Sequence, residues 1–129
     1  MNKIKYTSDS MKLITLFESM TGAKVKDCIS NEKLIFIMEE NEMGKAIGKN
    51  GVHIKRMENM LKKKIKLVEF SSDVLQFVKN MIYPIEIFDV KQENDDLIIH
   101  AKDMHTRAML IGRERQNINH LNDIVRRHF

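Results

Sequence analysis

In Met43-Gly44-Lys45-Ala46-Ile47-Gly48-Lys49-Asn50-Gly51-Val52-His53-Ile54, two glycines bracket a lysine and an asparagine between two amphipathic helical patterns. Glycine removes the side chain that would hold a backbone away from a polymer. The helix that follows begins with unpaired N–H groups and the positive end of its dipole, which favour an anion. Lys49 adds a full charge, and Asn50 can both donate and accept hydrogen bonds. A Gly-x-x-Gly pair alone is weak evidence, because such pairs arise by accident. Here Ile47 and Ile54 border it, and the pattern returns later in the chain.

A shift of 64 positions takes Ile47-Gly48 to Ile111-Gly112, Lys49 to Arg113 and Ile54 to Ile118. It also takes Met57 to Leu121, Met60 to Ile124, Leu61 to Val125 and Lys62-Lys63 to Arg126-Arg127. Identities are few, but the chemical pattern persists, the mark of an internal repeat. The rest of each half agrees. Ser8-Asp9-Ser10 can cap a helix with apolar Met11, Ile14, Phe17 and Met20, ended by Gly22. Ser71-Ser72-Asp73 can cap one with Val74, Leu75, Val78 and Met81, stopped by Pro84.

Two strand-like stretches follow each helix: 23–29 and 33–39 in the first half, 85–90 and 97–101 in the second, the latter joined through 93–96. Next come a short helix (42–47, then 104–111), a glycine loop (48–51, then 112–115) and a longer helix (52 to about 63, then 116 to the end). Residues 64–70 predict a third strand in the first half, with no counterpart after Phe129. The expected fold class is α+β: two tandem α-β-β-α-α-β units over 1–70 and 71–129, packed together as one body, the second lacking its final strand. Units of about 60 residues are marginal alone, hence the expected shared interface.

This combination resembles the KH domain, type II arrangement, whose Gly-x-x-Gly loop clamps about four nucleotides of single-stranded backbone. By that resemblance Gly48, Lys49, Asn50 and Gly51 form the clamp, and Ile47 and Ile54 border the base groove. Two such units together are similar to the archaeal NusA-like transcription factors, over nearly the whole chain. That similarity implies single-stranded RNA as partner, a role in termination or elongation, and association with RNA polymerase. The S1 and polymerase-binding domains of bacterial NusA have no match here. The groove is expected to run along Ile47, Ile54 and one edge of the strand holding Leu34 to Met38. Lys55 and Arg56 form an expected basic rim; Lys62, Lys63 and Lys64 read as a solvated helix end.

In the second loop, Gly112-Arg113-Glu114-Arg115, arginine replaces the second glycine. Its side chains still sum to +1, but close backbone approach is threatened and Glu114 would repel a phosphate. Arg113 and Arg115 could reach phosphates as side-chain contacts.

Composition sets the frame for these readings. The chain has 129 residues, 43% apolar and 31% charged, which is globular material rather than a disordered tail. Lys and Arg exceed Asp and Glu by 22 − 18 = 4, and the sequence pI is about 9.2, a mild pull toward anions. Cys28 is the one cysteine, so an intrachain disulfide is impossible and a strand thiol is its default role. The five histidines show no HExxH and no Cys/His pairing, so no metal or other cofactor is expected. Gly-Lys-Asn-Gly is too short for a phosphate-binding P-loop, and Glu39, Glu40 and Glu42 read as capping and solubility. No catalytic set emerges, so an enzyme is not expected. The ten methionines read as core filler. No apolar signal region follows Met1 and no window is long enough to span a membrane, so the cytoplasm is the expected location. Two other uses of the same residues stay open: a ribosome-associated or ribosome-assembly KH protein, and a polymerase-docking module without RNA. Oligomeric state is not legible.

Overall fold

The computed structural model describes residues 6–129. Residues 1–5, on which the expectation about a signal region falls, lie outside the described residues. The chain divides into two compact units, one ending at Ser71 and the other running from Ser72 to Phe129.

The first unit runs α1 (Ser8–Thr21), β1 (Val25–Ser30), β2 (Leu34–Met38), α2 (Met43–Ile47), α3 (Val52–Leu61) and β3 (Ile65–Glu69). Helix α1 begins one residue ahead of the predicted caps: the Thr7 side chain accepts the Ser10 N–H. It stops at Gly22, which takes the left-handed conformation at φ 73° and donates to the Glu18 carbonyl. The three strands lie in the order β1-β2-β3. Strand β1 pairs antiparallel with β2, and β3 pairs parallel with β2, Leu34 opposite Ile65 and Met38 opposite Glu69.

The run Leu34-Ile35-Phe36-Ile37-Met38 is therefore the central strand, paired on both edges and buried throughout. Leu34, Phe36 and Met38 meet Ile14 and Phe17 of α1, Ala46 of α2 and Met57 of α3 in one core. Phe17 and Phe36 stack with ring centres 4.4 Å apart. This placement corrects the expected groove: no edge of β2 is open to a base, because β1 and β3 occupy both.

Cys28 points into that core and is 3% exposed. Burial, with Asp27 beside it, pushes its thiol up to about 11. The thiolate is the reactive form. Alkylation by iodoacetamide near neutral pH is therefore expected to be slow while the protein is folded and fast once urea unfolds it. Mass spectrometry of timed samples checks this; labelling of the folded protein at the rate of a free cysteine would contradict the burial.

The second unit runs α4 (Val74–Ile82), β4 (Ile87–Glu93), β5 (Asp96–Ala101), α5 (Met104–Ile111), a short 3-10 turn (Arg113–Arg115) and α6 (Gln116–His128). The Asp73 and Asp103 side chains cap α4 and α5 by accepting the Leu75 and Thr106 N–H groups. Among the described residues, strands β4 and β5 form a two-stranded antiparallel sheet. Their turn is tighter than the predicted one: Glu93 pairs with Asp96, leaving only Asn94 and Asp95 to reverse the chain, Asn94 at φ 54°. Phe77, Val78 and Met81 of α4, Val90 of β4, Leu110 of α5, and Leu121 and Ile124 of α6 are buried.

A shared irregularity links the two hairpins. The register shifts between Val25 and Asp27 in β1 and between Ile87 and Asp89 in β4, and each bulge leads into an aspartate. Asp27 is fully buried, with Oδ1 accepting the Cys28 N–H, whereas Asp89 pairs with the His100 ring. Among the described residues no helix is long and apolar enough to cross a membrane.

Candidate nucleic-acid interface

Residues 48–51 join α2 to α3 as an exposed bend. Gly48 sits at φ 61°, ψ −156°, a region essentially closed to residues with a side chain. A Cβ there would also stand 3.3 Å from the His53 ring. Asn50 follows at φ 58°, a left-handed value that asparagine tolerates. Gly51 is left-handed at φ 66°, ψ 24°, and a Cβ on it would meet nothing within 4 Å. The second glycine thus keeps space above the backbone clear, where a side chain would otherwise project.

Helix α3 starts from Gly51 with no side-chain cap, in contrast to α1, α4 and α5. The Val52 N–H donates to the Lys49 carbonyl at 3.3 Å, and no side chain caps the N–H groups that follow it in the first turn. Lys49, Lys55 and Arg56 are exposed, and none has an ion-pair partner among the described residues. Around the bend Ile47 is 43% exposed and Val52 46% exposed, while Ile54 is half-buried. An exposed apolar surface, a bare backbone and unpaired cations thus meet at one end of α3.

Other residues near the bend are structural. Glu42 accepts the Lys24 N–H at 2.8 Å and approaches Lys45 at 3.3 Å, and these interactions hold its carboxyl below the usual range. It pins the start of α2 to the start of β1. Lys63 donates to Ser30 Oγ and the Asn31 carbonyl, at the far end of α3 from the bend. Met57 is fully buried, Leu61 half-buried, and Met60 57% exposed, although its repeat partner Ile124 is buried.

Gly112, Arg113, Glu114 and Arg115 join α5 to α6 in the second unit, with both arginines exposed. The backbone repeats the first loop nearly angle for angle. Gly112 lies at φ 74°, ψ 172°, Glu114 at φ 54°, ψ 30°, and Arg115 at φ 63°, ψ 20°. A Cβ on Gly112 would stand 2.6 Å from the Asn117 side chain, which donates to the Met109 carbonyl. Helix α6 also lacks a side-chain cap. Losing the second glycine has therefore not changed the bend; it has placed two consecutive non-glycine residues in the left-handed region.

Three contributors escaped the sequence reading. Val52 is visible in the sequence as an apolar residue in the first turn after the bend. His53, against Gly48, and Asn117, under Gly112, carry no signal in their spacing.

The KH domain family matches residues 13–94, more than half of the chain. A Methanococcus vannielii protein called probable transcription termination protein NusA is 40% identical over 130 residues, spanning 97% of this chain and 75% of that one. A protein of the same description from Methanocaldococcus jannaschii is 31% identical over 132 residues, spanning 99% and 72%. Among solved structures, the crystal structure of APE1850 is similar with a TM-score of 0.73 at 30% identity, over 96% of this chain and 94% of that one.

Proposed function

Since this chain belongs to the KH domain family and to the NusA-like proteins of archaea, we propose that it binds single-stranded RNA as a transcription termination or elongation factor. The observation that carries this reading is the exposed 48–51 bend, with open space over Gly51 and an uncapped helix behind it. A phosphate seated there accepts N–H groups from the first turn of α3 while Lys49 neutralises it and Asn50 donates. Neighbouring bases lie on the exposed sides of Ile47, Val52 and Ile54, and Lys55 and Arg56 meet the next phosphates. The work is binding rather than catalysis, and RNA polymerase is the partner that the relatives' description suggests.

The two units act as tandem KH domains, 1–70 and 71–129. The common order of elements, the paired bulges and the matching loop dihedrals support this. In the second unit Gly112 shapes the bend while Arg113 and Arg115 reach phosphates with their side chains.

Binding of a short unpaired oligonucleotide across a salt series tests the proposal. Log affinity is expected to fall linearly with log salt by about 0.7 for each phosphate neutralised, with duplex RNA of the same length much weaker. A protein that copurifies with polymerase but shows no salt-dependent RNA binding would instead be a docking module.

The strain in the second loop gives a separate test. A left-handed residue with a side chain costs about 1–2 kcal/mol. Arg115→Gly is expected to stabilise the second unit by about 1 kcal/mol, read as a higher unfolding midpoint, while RNA affinity falls. A variant with unchanged RNA affinity would remove Arg115 from the interface.

A further inference from the structure

The two glycines of the first bend have different surroundings. A Cβ on Gly51 would meet nothing within 4 Å, whereas one on Gly48 would stand 3.3 Å from the His53 ring and 3.9 Å from the Lys45 carbonyl oxygen. The space that Gly48 leaves by having no side chain is thus taken by the half-buried His53, the second residue of α3. In the second unit a Cβ on Gly112 would stand 2.6 Å from the Asn117 amide, and that amide donates to the Met109 carbonyl at 2.8 Å. A shift of 64 positions takes Gly48 to Gly112, His53 to Asn117 and Lys45 to Met109. Both bends therefore bring together the same three parts. They are the first glycine, the second side chain of the following helix, and a carbonyl from the last turn of the preceding one.

We propose that His53 and Asn117 are the positioning residues of the two loops, each a prop that fills the space its first glycine leaves and holds the bend in its RNA-binding shape. The physical need is plain: Asn50 and Gly51 in one loop, and Glu114 and Arg115 in the other, are left-handed. Backbone of that kind keeps its shape only where contacts from outside the bend fix it. In the second loop the prop is a hydrogen-bonded tie, and in the first it is a ring set against the glycine. Gly48 then serves the prop, while Gly51 serves the ligand. The consequence for affinity rests on the RNA reading given above; the propping itself rests on the geometry of the two loops.

His53→Ala removes the ring and leaves the bend's own residues in place. Without RNA, NMR should show faster exchange, by about tenfold, of the Gly48 and Val52 amides, which donate to the Gly44 and Lys49 carbonyls. Affinity for a short single-stranded oligonucleotide should fall about tenfold as well, because only molecules holding the bend bind it. The urea midpoint should stay near the parent's. His53→Asn, which places the second loop's prop beside the Lys45 carbonyl, should bring exchange and affinity back to the parent's values. In the second loop Asn117→Asp keeps the shape and loses the donor. It should speed exchange of the Gly112 and Arg115 amides, which donate to the Ala108 and Gly112 carbonyls. A parent protein without RNA affinity would count against the RNA reading alone, since exchange still reports the prop. Parental exchange in His53→Ala, with only the urea midpoint lowered, would make the ring mere filling and overturn the proposal. So would a His53→Asn variant that behaves like His53→Ala.

Discussion

Lys49→Asp combined with Asn50→Asp is expected to weaken binding of single-stranded RNA by about a hundredfold or more while leaving the fold intact. On the proposed reading, each substitution removes a hydrogen bond to a charged phosphate, worth about 1.5–3 kcal/mol, and adds a negative charge where that reading seats a negative ligand. Two such changes correspond to a factor of about a hundred or above. The fold is insulated for identifiable reasons. Lys49 is exposed and has no ion-pair partner among the described residues, so reversing its charge breaks nothing internal. Asn50 is left-handed at φ 58°, a conformation that aspartate also tolerates. The salt slope should flatten by about 0.7 for each phosphate that is no longer neutralised. Circular dichroism melts establish that the variant is folded, and filter binding or anisotropy reads the affinity. A folded variant with parental affinity would sink the clamp.

Phe36→Ala should have the opposite profile: a large loss of stability, with RNA binding lost only because the first unit no longer folds. Phe36 is fully buried on the central strand and stacks on Phe17, itself fully buried. Removing a buried phenylalanine costs about 3–5 kcal/mol, from lost transfer energy and the cavity left behind. Whole domains are stable by only about 5–15 kcal/mol, so most of the first unit's margin would go. Urea denaturation followed by circular dichroism measures the loss, and Phe36→Leu should recover much of it by refilling the space. A loss below about 1 kcal/mol would mean that the core is not packed as described.

The glycine bend was legible because its physics is local. Gly48 needs a backbone region closed to residues with a side chain. Gly22 at the end of α1 and Asp73 at the start of α4 were legible for the same reason. The groove was misplaced although the signal was present. Five consecutive apolar residues from Leu34 to Met38 mark a strand covered on both faces, and a central strand offers no edge. In the second loop, replacing a glycine by Arg115 threatens close backbone approach, which is legible in the sequence; that Glu114 and Arg115 are both held left-handed is not. The exposure of Met60 depends on what packs where, which periodicity alone does not encode.

The central position of β2 also bears on how the protein is made. Its antiparallel neighbour precedes it closely in the chain, but its parallel neighbour lies beyond two helices, ending at Glu69. A ribosome extending this chain therefore releases β1, β2, α2 and α3 before the sheet can close, and one flank of Leu34–Met38 stays bare meanwhile. That interval is when the growing chain is most open to mispairing with a neighbour, and synthesis of the last strand ends it.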